Sequence, residues 1–216
     1  MFSDRTQAGG LLADRLAIEH LPNAVVLALP RGGVPVAVEV ARRLKAPLDL
    51  ILVRKIGMPG QPEYAAGAVA GSEEGGVVWN ARALHAANLA PSDFDRSLAA
   101  ERAVNAERRA LYLGDRAPVD LHGKTAVVVD DGIATGSTMR AALQAVRARG
   151  AVKVVLAVPV APPEALEMLA PLADRLIALE TPADFFAVGA YYAHFPQVSD
   201  AEVREMLAAA AAPAAS

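Results

Sequence analysis

The sequence contains no cysteine, only 5% aromatic residues and only four histidines among 216 residues. Without cysteine the chain cannot form a disulfide bond, a thiolate metal site or a cysteine nucleophile. The histidines lie far apart and show no metal-ligand spacing, which argues against a histidine metal site.

The chain also lacks an excess of positive charge and any long apolar run. The sequence has 21 Lys and Arg residues and 24 Asp and Glu residues, which gives a formal net charge of −3. This balance does not predict the basic surface that is typical of proteins that bind duplex nucleic acid. No apolar run approaches the roughly 20 residues of a membrane span. The first residues do not have the basic and then apolar layout of a signal peptide. We therefore expect a cytoplasmic protein that binds neither a nucleic acid polymer nor a membrane.

Short apolar segments rich in β-branched residues alternate with helical patterns along the chain. The predicted strands are residues 24–29, 50–53, 125–129 and 153–160. This alternation predicts an α/β fold built on a single doubly wound parallel sheet. We assign residues 1–207 to one domain and residues 208–216 to an alanine-rich carboxyl-terminal tail.

Two segments interrupt the alternation. Residues 56–67 contain three glycines and two prolines, a composition that predicts a mobile lid rather than a strand. Glu63 and Tyr64 are candidates to act from this lid, although ordinary surface positions are the simpler interpretation. Residues 67–79 place two short apolar runs on either side of a turn rich in glycine and glutamate, which predicts a hairpin.

The segment VVVDDGIATGST, residues 127–138, combines a buried strand, an acidic pair, a glycine loop and the start of a helix. Ligands of parallel sheets bind beyond the carboxyl ends of the strands, where this loop would lie. The helix amino terminus offers unpaired N–H groups and about half a positive charge. Hydroxyls of Thr135, Ser137 and Thr138 would add donors, and Gly132 and Gly136 would let the backbone approach a ligand closely. The segment therefore predicts a phosphate cup, and the absence of a lysine before Ser137 disfavours a P-loop ATPase or GTPase.

Asp130 and Asp131 stand beside this cup, where bare carboxylates would repel a phosphate. A vicinal sugar diol could donate one hydrogen bond to each carboxylate, and a Mg²⁺ ion near the pair could offset the negative charge. The combination favours a ribose 5-phosphate group as the ligand. An ordinary acidic turn followed by a helix cap is the alternative, and it explains fewer of the coinciding features.

VVVDDGIATGST resembles the 5-phosphoribosyl 1-pyrophosphate (PRPP) signature of type I phosphoribosyltransferases, an acidic pair followed by a TGxT phosphate loop. The resemblance implies the type I fold, with a five-stranded parallel core, a flexible hairpin or lid, and a small hood built from the N- and C-terminal segments. Asp130 and Asp131 would then hold the ribose hydroxyls. The residues that would surround the 5′-phosphate are Gly132, Ile133, Ala134, Thr135, Gly136, Ser137 and Thr138.

Two further segments at predicted strand ends offer amides and cations. LPRGG, residues 29–33, resembles the family's pyrophosphate loop, so Arg31, Gly32 and Gly33 are predicted to bind substrate. Arg54 and Lys55 directly follow the predicted strand 50–53, and two cations at that end suit an anionic leaving group. We therefore predict that both face pyrophosphate.

The segment PADFFAVGAYYAHF, residues 182–195, concentrates aromatic residues and resembles the base-binding segment of hypoxanthine-guanine phosphoribosyltransferases. By position, Phe186 would stack on the base, and Tyr191 and Tyr192 are further candidate base contacts. Core packing is the alternative for the tyrosines. Ala193 stands where those enzymes have an aspartate, so the segment does not identify the base.

These features favour an enzyme that transfers the 5-phosphoribosyl group between PRPP and a nitrogen base, with Mg²⁺ and pyrophosphate. Asp130, Asp131, Arg54 and Lys55 are its predicted catalytic residues, and the resemblance makes a homodimer an expectation. One alternative is a phosphorylase that uses inorganic phosphate to cleave a nucleoside 5′-monophosphate. Another is a non-catalytic sensor of PRPP or of a nucleotide, built on the same fold.

Overall fold

A five-stranded parallel sheet forms the centre of the molecule in the computed structural model, which describes residues 1–71 and 76–211, the side chains of Pro62 and Glu63 excepted. The strands of the chain are β1 Ala24–Ala28, β2 Leu48–Leu50, β3 Val53–Met58, β4 Gln61–Ala70, β5 Val77–Trp79, β6 Thr125–Val129, β7 Lys153–Val160 and β8 Arg175–Glu180. The α-helices are α1 Arg5–Ala17, α2 Gly33–Leu44, α3 Ala81–Ala86, α4 Asp95–Leu113, α5 Ser137–Ala148, α6 Pro163–Leu169 and α7 Asp200–Ala211.

The order of strands in the parallel sheet is β2-β1-β6-β7-β8. After β1 the chain moves outward to β2, and from β6 it moves in the opposite direction through β7 to β8. The predicted doubly wound α/β fold is therefore confirmed. The carboxyl ends of β1 and β6 lie side by side at the point where the direction reverses, the usual position of a ligand crevice in such sheets.

Helices cover both faces of the parallel sheet. On one face, Leu12, Val36 and Leu207 from α1, α2 and α7 belong to a core that also contains alternate residues of the strands. On the other face, Leu143 of α5 and Leu169 of α6 belong to a second core with the remaining strand residues. Burial on both faces explains why the strands read as continuous apolar runs.

A second sheet, antiparallel and of order β3-β4-β5, corrects two sequence predictions. The predicted strand 50–53 is divided, because β2 ends at Leu50 and β3 begins at Val53. The predicted lid, residues 56–67, lies mostly within β3 and β4 instead of an irregular loop. Gly57 lies at a shift in the register of the two strands, and Gly60 lies between them with a φ of 73°, a conformation that favours glycine. The hairpin predicted over residues 67–79 is confirmed by β4 and β5, although residues 72–75 of its turn lie outside the described part of the chain.

Helix α4 is attached to both sheets by buried polar contacts. Asp49 of β2, which is 1% exposed, accepts hydrogen bonds of 2.9 and 3.2 Å from Arg109 and one of 2.8 Å from the backbone N–H of Val119. One turn earlier, the Asn105 amide donates to the carbonyl of Gly71 at 2.9 Å. These contacts determine which stripe of α4 faces the sheets.

The N- and C-terminal segments meet beside the sheet, as the predicted hood requires. The N–H of Phe2 donates to the carbonyl of Tyr191 at 2.8 Å, and the N–H of Ala193 donates to the carbonyl of Phe2 at 2.8 Å. Helix α7 continues to Ala211, four residues into the predicted tail, and residues 212–216 lie outside the described range.

Within residues 1–71 and 76–211, no helix combines the length and the apolar character needed to cross a membrane.

Candidate functional site

Two loops meet at the switch point of the sheet: the PRGG loop, residues 30–33, and the acid pair, Asp130 and Asp131. A Cβ atom added to Gly32 would lie 2.1 Å from Oδ2 of Asp131, and one added to Gly33 would lie 2.8 Å from the carbonyl oxygen of Val129. The peptide bond between Pro30 and Arg31 is cis. The structure therefore brings together the two segments that the sequence assigned to one crevice, and their contact leaves no space for a side chain at position 32.

Substituting Gly32 with alanine should consequently destabilise the protein. We expect a loss of about 1–3 kcal/mol in the free energy of unfolding, because the new methyl group must displace Asp131. Gly10→Ala in α1 is the matched control, since nothing lies within 4 Å of its added Cβ, and it should stabilise the helix by about 0.5–1 kcal/mol. Urea denaturation of both variants tests the prediction, and equal effects of the two substitutions would contradict it.

The acid pair is largely, but not completely, shielded from solvent. The N–H of Asp131 donates to Oδ1 of Asp130 at 2.9 Å. Burial raises the pKa of Asp130 well above its usual range, and repulsion by the Asp131 carboxylate adds to the effect. Burial also raises the pKa of Asp131, against the opposing effect of a neighbouring arginine. At neutral pH the pair therefore holds a proton more readily than two exposed carboxyls would.

That neighbouring arginine, Arg5, was not predicted from the sequence. Its Nε donates to Oδ2 of Asp131 at 2.7 Å and one terminal nitrogen donates to the carbonyl of Pro196 at 2.8 Å, while the guanidinium lies 3.6 Å from the ring centroid of Phe195. Arg5 is the first residue of α1, whose first turn contains no acidic residue. A cation at a helix amino terminus is electrostatically unfavourable, and this was the only local indication that Arg5 has a partner elsewhere.

Replacing Asp130 with asparagine should raise the stability of the folded protein at neutral pH by about 0.5–2 kcal/mol. A carboxyl whose folded pKa is raised destabilises the native state increasingly as pH rises above the unfolded value of about 3.9. The gain should therefore be present at pH 7.5 and absent below about pH 4. Asp184→Asn, at an exposed position, is the control and should change little. Denaturant unfolding curves at both pH values measure these changes. A variant Asp130→Asn that was less stable than the wild type at pH 7.5 would contradict the prediction.

The phosphate loop, residues 132–138, follows the acid pair and leads into α5, which begins at Ser137 as predicted. The N–H of Ile133 donates to the carbonyl of Val160 at 2.9 Å, which anchors one end of the loop to β7. Gly136 adopts a φ of 74° at the N-cap position, a conformation that favours glycine, and no side chain caps the helix. Ala134, Thr135, Ser137 and Thr138 are exposed. The first turn of α5 therefore presents amides and hydroxyls to the crevice.

Arg54 and Lys55 occupy different positions from those predicted. They lie inside β3 instead of after a strand end, and consecutive side chains of a strand point to opposite faces. Arg54 donates to Glu101 of α4 at 2.7 Å. Lys55 borders a cavity of about 250 Å³ that also contacts Ser137 and Thr138 of the phosphate loop. The two side chains therefore point to different faces of β3, and of the two only Lys55 borders this cavity.

The third predicted cation, Arg31, turns from the PRGG loop toward the start of α7. Its guanidinium lies 3.7 Å from the carboxylate of Asp200, which also accepts a hydrogen bond of 2.7 Å from the hydroxyl of Tyr112. Arg31 and Gly32 border a cavity of about 380 Å³ together with Asp131 and Phe195. This cavity joins the PRGG loop to the aromatic carboxyl-terminal segment.

The three predicted base contacts have different environments. Tyr192 is only 5% exposed, packs against Phe2 and Phe195, and donates its hydroxyl to the carbonyl of Asp131 at 2.6 Å. Its ring is therefore unavailable for stacking on a base, which corrects that assignment. Tyr191 stacks on Phe185 with ring centroids 5.6 Å apart. Phe186 is 93% exposed and remains the candidate for base stacking.

Comparison with known proteins relates the chain to one family. The family model described as "Phosphoribosyl transferase domain" matches residues 4–194. The crystal structure of TT1426 from Thermus thermophilus is 48% identical and superposes with a TM-score of 0.84, covering 98% of this chain and 99% of that one. Two Mycobacterium tuberculosis proteins, from strains CDC 1551 and H37Rv, carry provisional phosphoribosyl transferase names and are 48% identical over 204 residues. The match covers 94% of this chain and 45% of the length of each mycobacterial protein.

Proposed function

This chain belongs to the phosphoribosyl transferase domain family, and from that membership we propose that it transfers the 5-phosphoribosyl group between PRPP and a nitrogen base. The proposal rests on one observation above all. The PRGG loop touches the acid pair, with space for only a hydrogen at Gly32, and the phosphate loop continues directly from that pair. A ribose 5-phosphate bound by the acid pair and the phosphate loop would then have the PRGG loop beside it.

The residues of the site suit the two ends of such a ligand. The exposed hydroxyls of Thr135, Ser137 and Thr138 and the amides of α5 are suited to a 5′-phosphate. The carboxyl group of Asp131, oriented by Arg5, would accept a hydrogen bond from one ribose hydroxyl. Asp130, whose burial raises its pKa, could donate its proton to the other hydroxyl.

The proposed reaction breaks the bond between ribose C1 and a pyrophosphate oxygen, and the bonding electron pair leaves with pyrophosphate. The lone pair of the base nitrogen forms the new bond to C1, and the proton of that nitrogen passes to solvent or to a basic group. Negative charge therefore accumulates on the pyrophosphate side of the site. The amides of the PRGG loop and the guanidinium of Arg31 would stabilise that charge, and Lys55 would contribute from β3.

Mg²⁺ is the proposed cofactor. Within residues 1–71 and 76–211, no group of three His, Cys, Asp or Glu side chains is placed to hold a metal ion. Mg²⁺ commonly uses one or two carboxylates together with substrate phosphates, so Asp130 and Asp131 fit the protein's part of such a site. When bound, the ion would neutralise part of the charge on the phosphates.

A matrix of reactions tests the proposed function. The protein would be incubated with Mg²⁺, PRPP and each of a panel of purine, pyrimidine and pyridine bases, and nucleotide formation would be followed by chromatography. Parallel reactions would contain nucleoside 5′-monophosphates with either pyrophosphate or phosphate. Nucleotide formation, or base release with pyrophosphate, supports the transferase. Base release with phosphate alone indicates the phosphorylase, and binding of PRPP without turnover of any base indicates a sensor.

A further inference from the structure

A small cavity lies beside the PRGG loop, at the carboxyl ends of β1 and β2. Its volume is about 50 Å³, and its lining includes Pro30, Arg54, Asn105, Arg108 and Thr138. These residues come from the PRGG loop, from β3, from α4 and from the first turn of α5. The cavity therefore lies where the proposed pyrophosphate end of the ligand meets helix α4, which the sequence did not connect with the site.

One stripe of α4 faces this region. Glu101, Asn105, Arg108 and Tyr112 are spaced 4, 3 and 4 residues apart, which places them on one face of the helix. Three of these residues hold a neighbouring element: Glu101 accepts from Arg54, Asn105 donates to the carbonyls of Leu52 and Gly71, and Tyr112 donates to Asp200.

Arg108 is the exception in this stripe. It is exposed, and among the described residues it makes no hydrogen bond or ion pair. The two other arginines of the region are each held by a carboxylate, Arg54 by Glu101 at 2.7 Å and Arg31 by Asp200 at 3.7 Å. Arg108 is therefore a cation beside the cavity that forms no ion pair with a carboxylate in the described ranges.

The cavity also contains an incomplete polar contact. Asn105 is 1% exposed, and its Oδ1 atom has no hydrogen-bond partner among the described residues. Buried amide oxygens almost always accept a hydrogen bond. A guanidinium has five N–H donors, so Arg108 could donate one to Asn105 if its side chain turned inward and still present others to an anion.

We propose that Arg108 is a further substrate-binding residue, whose guanidinium contacts the pyrophosphate group of the donor from the α4 side. The proposal rests on the proposed phosphoribosyl transfer. Pyrophosphate carries several negative charges, so it would be bound better by several donors than by the PRGG loop alone. Arg108 borders the same small cavity as Pro30 and would add, from α4, a planar donor group suited to phosphate oxygens.

Binding measurements with three probes test this assignment. Isothermal titration calorimetry with Mg²⁺ present would give the Kd of the full chain for ribose 5-phosphate, pyrophosphate and PRPP. Arg108→Ala should weaken pyrophosphate and PRPP by about 10- to 100-fold, the usual effect of losing a hydrogen bond to a charged group. It should leave the Kd for ribose 5-phosphate unchanged. Arg108→Lys should recover only part of the loss, because an ammonium cannot form the bidentate contact.

Arg96→Ala is the matched control, because Arg96 is an exposed arginine on the same helix about three turns away. Unchanged PRPP and pyrophosphate affinity in Arg108→Ala would overturn the proposal, as would equal losses in Arg96→Ala or an equal loss for ribose 5-phosphate. A wild-type protein that binds neither pyrophosphate nor PRPP would overturn it as well. If the wild type bound pyrophosphate but not ribose 5-phosphate, and Arg108→Ala weakened that binding, the role of Arg108 would stand and the proposed function would fail.

Discussion

Asp131→Asn is expected to weaken the binding of ribose 5-phosphate and of PRPP by about 100-fold, because one hydrogen bond to a charged acceptor is lost. Asparagine occupies nearly the same space as aspartate, so the Gly32 contact can remain. Its amide oxygen can still accept from Arg5, but the charge that attracts a ribose hydroxyl is gone. Titration calorimetry with ribose 5-phosphate measures the loss at the sugar, without any contribution from pyrophosphate.

The control for this experiment is Asp174→Asn. Asp174 is also paired with an arginine, Arg147 at 2.6 Å, but it lies on the surface. Its substitution should leave both affinities as in the wild type. If Asp131→Asn bound both ligands as tightly as the wild type does, the acid pair would not belong to the binding site. The main support for a ribose ligand would then be lost. A far-UV circular dichroism spectrum matching the wild type would confirm that the variant is folded.

Arg5→Met is expected to lower the free energy of unfolding by about 3–5 kcal/mol at neutral pH, the usual cost of removing one partner of a buried ion pair. Both side chains are largely buried, with exposures of 10% for Arg5 and 14% for Asp131. Methionine can still pack on Phe195, so the loss should come mainly from the unpaired carboxylate. Urea denaturation at pH 7.5 measures it.

The pH dependence of this loss identifies its cause. Arg5 lowers the pKa of Asp131 against the effect of burial, so its removal should raise that pKa further. A carboxyl with a raised folded pKa costs stability only above the unfolded value of about 3.9. The cost of Arg5→Met should therefore shrink as pH falls toward about 4. A cost independent of pH would indicate lost packing instead.

Two comparison variants sharpen the same experiment. Arg5→Met combined with Asp131→Asn removes the charge on both sides, so the double variant should be more stable at pH 7.5 than Arg5→Met alone. Arg43→Met alters an arginine of α2 that is paired with Asp14 at 3.1 Å on the surface, where the two side chains are 55% and 72% exposed, and should cost about 0–1 kcal/mol. A double variant less stable than Arg5→Met would show that the acid pair is not the source of the loss.

The doubly wound sheet and the position of the phosphate loop were predictable because they depend on local patterns. Buried strands of a two-sided parallel sheet are continuous apolar runs, and 125–129 and 153–160 have that pattern. The start of α5 at Ser137 follows from the glycine and hydroxyl residues around it. Connection rules of α/β folds then place Asp130 and the PRGG loop at one edge of the sheet.

The antiparallel sheet was not predictable from the same patterns. Glycines and prolines in residues 56–67 resemble a loop, yet β4 forms because it pairs with β3 on one side and β5 on the other. Strand pairing depends on partners distant in the chain, so composition alone underestimates it. The error extended to Arg54 and Lys55, because a strand end and a strand interior direct consecutive side chains differently.

By itself, the sequence of this protein determined the fold class and the acidic, glycine-rich loop, since residue type and spacing within a short segment specify both. Only the tertiary structure decided which distant polar groups meet that loop. Arg5 is 126 residues from Asp131 in the chain, and Tyr192 reaches the same aspartate from the opposite terminus. Such contacts depend on how the helices pack and where the termini cross. Residue types alone do not predict them, because a buried carboxylate can pair with any cation that the fold brings near it.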